Sequence, residues 1–120
     1  MTDLEITKLC AEAAILQRDQ PIESHGQLFL CYHPIDERVP RYHLYDPLHD
    51  DAQAMALVKR FGLALWGNDG TAAEWKWHAE EQIFPDHRPP IIGHGQTANR
   101  AICGCVAKMM KAKNEAEPKL

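Results

Sequence analysis

The sequence predicts an α+β fold with the element order α-β-β-α-β-β-α. Each predicted helix begins at a residue able to cap it: Thr2, Asp50 or Asp51, and Thr97. Between these helices the β-rich segments come in two pairs, 27–33 with 41–45 and 63–66 with 74–79. Four mostly antiparallel strands with helices on both faces form a three-layer sandwich, which is the simplest way to bury both sides of such a sheet.

The first helix is predicted from a capping box and an apolar stripe. Thr2 and Glu5 have the spacing at which each side chain can bond the backbone amide of the other. Apolar residues recur at helical spacing from Ile6 to Leu16, and Pro21 ends the region. Segment 27–33 then alternates as a strand, segment 34–40 is a charged connection, and 41–45 returns to complete a hairpin.

The clearest local signals lie in segment 45–61, YDPLHDDAQAMALVKRF. Its Asp-Pro pair stops the preceding strand, and Gly62 follows the last apolar residue of the helix. The apolar side of this helix should lie on the sheet, and its residues are Ala54, Leu57, Val58 and Phe61.

The second half of the chain predicts another hairpin, a long connection and a final helix. The Asp-Gly pair in segment 67–70 favours a tight hairpin turn. Segment 80–96 is a connection rich in Pro and Gly, longer than ordinary links in a compact domain. The last helix carries an apolar stripe of Ala98, Ile102, Cys105, Val106 and Met109. We expect residues 1–113 to form a single domain and 114–120 to fray as a charged tail.

Composition narrows the classes of function. The 120 residues carry 17 acidic against 13 basic side chains, a formal charge of -4, which argues against direct nucleic-acid binding. The four cysteines lie in apolar runs, so a reducing cytoplasm is the expected location. No segment is long and apolar enough to predict a membrane span.

Metal and catalytic sites are not predicted. Cys31-x-His33 and Cys103-x-Cys105 lack the paired spacing of common zinc sites. His78, His87 and His94 lie in or beside the long connection, but no nucleophile with a matched base is evident. The Gly-His-Gly run before Thr97 is neither a Walker sequence nor a dinucleotide fingerprint. The sequence therefore predicts a protein that is not an enzyme, with no metal and no cofactor.

Three segments carry a resemblance to a known family. The helix segment YDPLHDDAQAMALVKRF, the hairpin segment EWKWHAE and the closing segment NRAICGCVAKM resemble the small phage-encoded proteins called the phage ABA (α/β/α) sandwich domain. The resemblance covers roughly residues 2–111. It implies a bacteriophage or prophage origin, an α/β/α fold and action in the bacterial host cytoplasm, and it transfers no active-site motif. The long connection between residues 78 and 97 departs from the family pattern.

The functional prediction is a non-enzymatic phage accessory protein that binds a host protein. We expect the partner to be a nucleic-acid-handling defence component, with the chain inhibiting a system such as a CRISPR-Cas effector through steric or acidic-surface contact. Trp75 and Trp77 should share a strand face and could anchor such an interface. Two alternatives stay open: a metal- or histidine-dependent enzyme that uses loop 78–96, and a phage structural or recombination accessory protein. Homodimer formation is also left open. The candidate contact residues are Asp36, Glu37, Asp50, Asp51, Trp75, Trp77, Glu80, Glu81, His87 and His94.

Overall fold

The fold is α+β, with three helices and six strands among the residues that the structure describes. The computed structural model describes residues 1–14, 20–32, 38–67, 75–82 and 88–116. In chain order the elements are α1 (Asp3–Ala14), β1 (Gln20–Ser24), β2 (Gln27–Tyr32), β3 (Arg41–Leu44), α2 (Asp51–Phe61), β4 (Leu63–Gly67), β5 (Trp77–Glu81), β6 (Ile92–Gly95) and α3 (Ala98–Ala116).

The strands form two separate three-stranded antiparallel sheets, so the prediction of one four-stranded sheet is wrong. Their orders are β1-β2-β3 and β4-β5-β6. Both predicted hairpins exist, because β2 pairs with β3 and β4 pairs with β5. Each hairpin gains an unpredicted third strand. Pro21 was expected to end the first helical region, but it lies inside strand β1. Strand β6 lies within the segment 80–96 that was predicted to be a connection.

All three helix starts are confirmed in atomic detail. The Glu5 amide donates to Thr2 Oγ1 at 3.1 Å, and the Thr2 amide donates back to Glu5 Oε2 at 3.4 Å. Asp50 caps α2 by accepting from the Gln53 amide at 3.0 Å, and Thr97 does the same for α3.

Of the helix ends, that of α2 agrees with the prediction and that of α3 does not. Gly62 closes α2 with φ 61°, and its amide donates to the Val58 carbonyl, as predicted for a left-handed cap. In contrast, α3 continues to Ala116, into the segment predicted to fray.

Helix α3 is the centre of the molecule. It packs against β5 and β6 on one side, and against α1 and α2 elsewhere, while α1 also contacts β2 of the first sheet. The two sheets therefore contact different helices, which differs from a single sheet covered by helices on both faces. The fully buried residues of α3 supply much of the core: Ala101, Ile102, Cys103, Cys105, Val106 and Ala107.

Two glycines of β6 allow α3 to lie directly on the second sheet. A Cβ atom at Gly93 would stand 2.2 Å from the Ala101 carbonyl oxygen and 2.4 Å from the Cys105 amide nitrogen. At Gly95 it would stand 2.8 Å from the Arg100 side chain. The Gly-His-Gly run is therefore a packing motif, with His94 exposed between two buried glycines.

Candidate functional site

Strand pairing in the second sheet brings one tryptophan and two histidines into a single row. Trp66 of β4 lies opposite His78 of β5, and His78 lies opposite His94 of β6. Residues paired in register project from the same face of a sheet. Trp75, just before β5, adds a second indole to this row by stacking on His94. We call these four residues the imidazole–tryptophan face.

The four rings of this face form a connected series of contacts. Trp66 stacks on His78 with ring centroids 4.0 Å apart, and Trp75 stacks on His94 with centroids 4.2 Å apart and planes within 6°. His78 Nδ1 and His94 Nε2 are 2.9 Å apart, a hydrogen-bond distance. The two imidazoles therefore contact each other, His94 also contacts Trp75, and His78 contacts both indoles, with the Trp75 ring centroid 5.4 Å away.

The two imidazoles differ in their surroundings. His78 is buried, and its Nε2 atom has no hydrogen-bond partner within the described structure. His94 is exposed on the strand, yet partial desolvation lowers its pKa below the ordinary 6.5, and the charges of His78 and Lys108 lower it further. The His94 ring is therefore mostly neutral at pH 7.

Trp77 does not belong to this face, which corrects the prediction that Trp75 and Trp77 share a strand face. Strand β5 begins at Trp77, so Trp75 lies outside it, and Trp77 is half-buried against the hydrophobic core. Strand β4 ends at Gly67, which pairs with Trp77, and the tight turn expected at Asp69 and Gly70 lies outside the described residues.

Glu81 is a buried partner of Arg88, so its place in an acidic contact surface is also wrong. The Arg88 guanidinium donates to both carboxylate oxygens of Glu81, at 2.5 and 3.0 Å, and the Glu81 side chain is only 3% exposed. Neighbouring Glu80 is half-buried and points to the opposite face of β5, the side that carries His78.

The remaining predicted contact residues are dispersed or lie outside the described residues. Asp50 is the exposed cap of α2, and exposed Asp51 accepts a hydrogen bond from Asn99 at 2.9 Å. Asp50 therefore caps α2, and Asp51 links the start of α2 to the start of α3. The other predicted contact residues, Asp36, Glu37 and His87, lie outside the described part of the chain.

The cysteines form no metal site in the described structure. All four are free thiols, and three of them, Cys10, Cys103 and Cys105, are buried. Burial raises the pKa of Cys105 to about 11, and hydrogen bonding to Cys103 together with burial raises the pKa of Cys10. Across the described ranges, no three His, Cys, Asp or Glu side chains are grouped so that they could hold a metal ion. The described helices likewise include none that could cross a membrane.

Comparison with known proteins returns no relative. No family model matches the chain, and neither curated proteins nor solved structures give a match. The resemblance to the phage ABA sandwich domain therefore stays a prediction.

Sequence reasoning identified two members of the imidazole–tryptophan face as contact residues, Trp75 and His94, and missed Trp66 and His78. The missed signal is the Gly-His-Gly run, because a histidine between two glycines can occupy the open face of a strand that lies close to a helix. With β6 assigned, pairing to β5 follows, and His78 comes opposite His94.

The buried ion pair between Glu81 and Arg88 leads to a first prediction about stability. Replacing Arg88 by Met leaves Glu81 as a buried, unpaired carboxylate, which ordinarily costs roughly 3–5 kcal/mol. Since the Arg88 side chain is 35% exposed, we expect a smaller loss of about 2 kcal/mol in urea unfolding. The double variant Glu81→Met with Arg88→Met should recover most of that loss, and equal losses in the single and double variants would contradict the pairing.

Proposed function

We propose that this chain is a non-enzymatic binding protein whose imidazole–tryptophan face contacts a partner protein. The observation that carries the proposal is the exposure of Trp66, which is 43% exposed on the side of the second sheet opposite α3. Tryptophan is the residue type most enriched among energetically dominant interface residues. A rigid indole also loses little conformational entropy when a partner orders it.

The stacked arrangement supports a preformed contact surface. Trp66 and Trp75 are each held against an imidazole, so their orientations are set before any partner arrives. Preorganised side chains reduce the entropic cost of association. The face thus combines apolar area with fixed geometry.

Charge and the resemblance to phage proteins narrow the partner class in this proposal. A net charge of -4 favours binding to a basic protein surface over binding to the phosphate groups of a nucleic acid. With a phage origin, the partner in this proposal is a component of host defence. Nucleic-acid-handling effectors such as CRISPR-Cas nucleases present basic surfaces, which suit an acidic protein. We therefore propose inhibition of such an effector by occupation of its surface.

A histidine-dependent enzyme is the second candidate, and the 2.9 Å contact between His78 and His94 is the observation in its favour. A nucleophile beside these imidazoles would be needed for covalent catalysis. Within the described residues the cluster supplies indoles and imidazoles, while three of the thiols are buried in the core. The binding function is therefore the better supported of the two.

The proposal predicts that single indole truncations weaken partner binding. In a titration of a purified RNA-guided nuclease, Trp66→Ala and Trp75→Ala should each raise the dissociation constant about 30-fold, the equivalent of roughly 2 kcal/mol for an interface hot spot. The matched control is Tyr42→Ala, because Tyr42 is an aromatic residue 58% exposed on the first sheet. Circular dichroism should show all three variants folded.

The same titration separates the two candidate functions. Inhibition should require stoichiometric protein and should persist in Tyr42→Ala. Equal weakening by Tyr42→Ala would refute the assignment of the surface, and absence of binding would refute this partner class. Catalytic turnover at sub-stoichiometric protein, abolished by His94→Ala, would instead establish the enzyme.

A further inference from the structure

We propose that the open edge of strand β4 is an interface between two copies of this chain, which pair antiparallel through Leu63–Gly67 and join their second sheets into one continuous sheet. The inference goes beyond the proposed contact with a host protein, because it assigns a different surface and a different partner. It rests on the composition of β4, on the direction of its backbone groups and on the protection of the other edge strands.

Strand β4 lacks the features that ordinarily prevent pairing at the edge of a sheet. It lies at one end of the order β4-β5-β6, and among the described residues only β5 pairs with it. Natural sheets protect such edges with charged side chains, proline, bulges or a covering element. The segment Leu63–Gly67, LALWG, contains neither a charged residue nor a proline, and its last two residues are exposed. The edge is therefore open to a further strand.

The other edge strands of the two described sheets are each protected. Strand β1 contains Pro21 and Glu23, and β3 begins with the charged residue Arg41. Strand β6 lies against α3, and Lys108 of that helix donates to the Ile92 carbonyl at 3.0 Å. The absence of protection at β4 is thus specific to this edge.

The direction of the backbone groups in β5 decides which groups of β4 are free. The Glu81 amide donates to the Ile91 carbonyl at 3.0 Å, so the N–H and C=O groups of Glu81 point towards β6. These groups alternate between the two sides along an antiparallel strand. Those of Glu80 and His78 therefore point towards β4.

The same alternation continues in β4. The residues that lie opposite Glu80 and His78 are Ala64 and Trp66, so their backbone groups bond β5. The intervening residues point their N–H and C=O groups away from the sheet, and these residues are Leu63, Leu65 and Gly67.

One register pairs all of these outward groups across a two-fold axis. With Leu65 on the axis, this residue pairs with its own copy, and Leu63 of each copy lies opposite Gly67 of the other. On the open face the same register sets Trp66 opposite Ala64 of the second copy, so a large side chain meets a small one. Because β4 is uncharged, the pairing brings no like charges of this acidic chain directly opposite each other.

A second copy suits this edge better than an extended segment of another protein. A two-fold interface needs a self-complementary surface, and an uncharged strand with Trp66 opposite Ala64 provides one. A foreign strand is selected by side-chain pockets or charges beside the edge, whereas β4 carries no charged side chain. Pairing along roughly 17 Å of backbone is smaller than a standard interface, so we expect a weak dimer that forms at high protein concentration.

Amide hydrogen exchange followed by NMR tests the inference on the protein alone. Between about 20 μM and about 1 mM protein, exchange at Leu63, Leu65 and Gly67 should slow roughly fourfold, as expected for a dissociation constant of about 100 μM. These amides gain hydrogen-bond acceptors in the dimer. The amides of Ala64 and Trp66 should exchange slowly at both concentrations, because they already bond β5.

Gly67→Pro should abolish the concentration dependence at Leu63 and Leu65, because proline removes an outward amide and places its ring at the edge. The matched control is Gly67→Ala, which keeps the amide. Its Cβ would stand 3.8 Å from the Lys76 carbonyl oxygen, an ordinary contact, and the φ angle of Gly67 is not positive. This variant should behave as the wild type. Slow exchange at Trp66 in both variants shows that β4 still pairs with β5.

Exchange at Leu63 and Leu65 that does not change with concentration in the wild-type protein would overturn the inference, and so would equal slowing at Ala64. Slowing that appears only when a nuclease partner is added would assign the edge to a strand of that partner, which also overturns it. Loss of nuclease binding in Trp66→Ala would still stand in either case, so failure of the dimer and failure of the proposed function are distinguishable.

Discussion

Gly93→Ala is expected to destabilise the protein by about 3 kcal/mol or more, at the upper end of what overpacking costs. The added methyl would stand 2.2 Å from the Ala101 carbonyl oxygen and 2.9 Å from the Cys105 Cα, so backbone atoms of α3 would have to move. A backbone cannot rotate away as a flexible side chain can. Displacing α3 would also disturb β5, since the helix packs on both strands.

Gly104→Ala supplies the matched control, because a Cβ at Gly104 meets no atom within 4 Å and the residue lies inside α3. The same chemical change should stabilise the protein there by about 0.5–1 kcal/mol, through the higher helix propensity of alanine. Urea unfolding of both variants measures the difference. Equal unfolding midpoints for the two would mean that α3 does not lie directly on β6.

Leu57→Ala is expected to cost about 3–4 kcal/mol, within the range for truncation of a buried leucine. Leu57 is 1% exposed on the side of α2 that meets the core. The prediction from sequence placed Phe61 on the same buried side, but Phe61 and Val58 are only half-buried. Phe61→Ala should therefore cost less than Leu57→Ala.

Met55→Ala is the control on the same helix, because Met55 is 44% exposed. Truncation at this position should change stability by less than about 0.5 kcal/mol, as surface substitutions usually do. Thermal unfolding of Leu57→Ala and Met55→Ala at matched concentration measures the contrast. A loss at Met55 as large as that at Leu57 would show that α2 packs on a different side.

The helices could be predicted from sequence because their signals are local. The caps at Thr2, Asp50 and Thr97 each act within three residues, and all three are present in the structure. Strands β1 and β6 could not be found in the same way. A proline in β1 and two glycines in β6 oppose strand formation locally, and pairing with β2, β5 and α3 overrides that preference.

The candidate site depends on sheet register, which local patterns specify poorly. His78 and His94 are 16 residues apart and meet only because β5 and β6 pair in one register. The strand prediction set no register between β4 and β5, so Trp66 was not placed beside His78. Burial of Glu81 likewise depends on Arg88, seven residues further along the chain.

Hydroxyl-radical footprinting of the complex with a nuclease partner is the most direct test of the central claim, that the imidazole–tryptophan face is the contact surface. Side-chain oxidation should fall at Trp66 and Trp75 when the partner binds, because both indoles become covered. Oxidation at exposed Tyr42 of the first sheet should not change. Protection of Tyr42 with continued oxidation of Trp66 would contradict the account and move the contact to the first sheet.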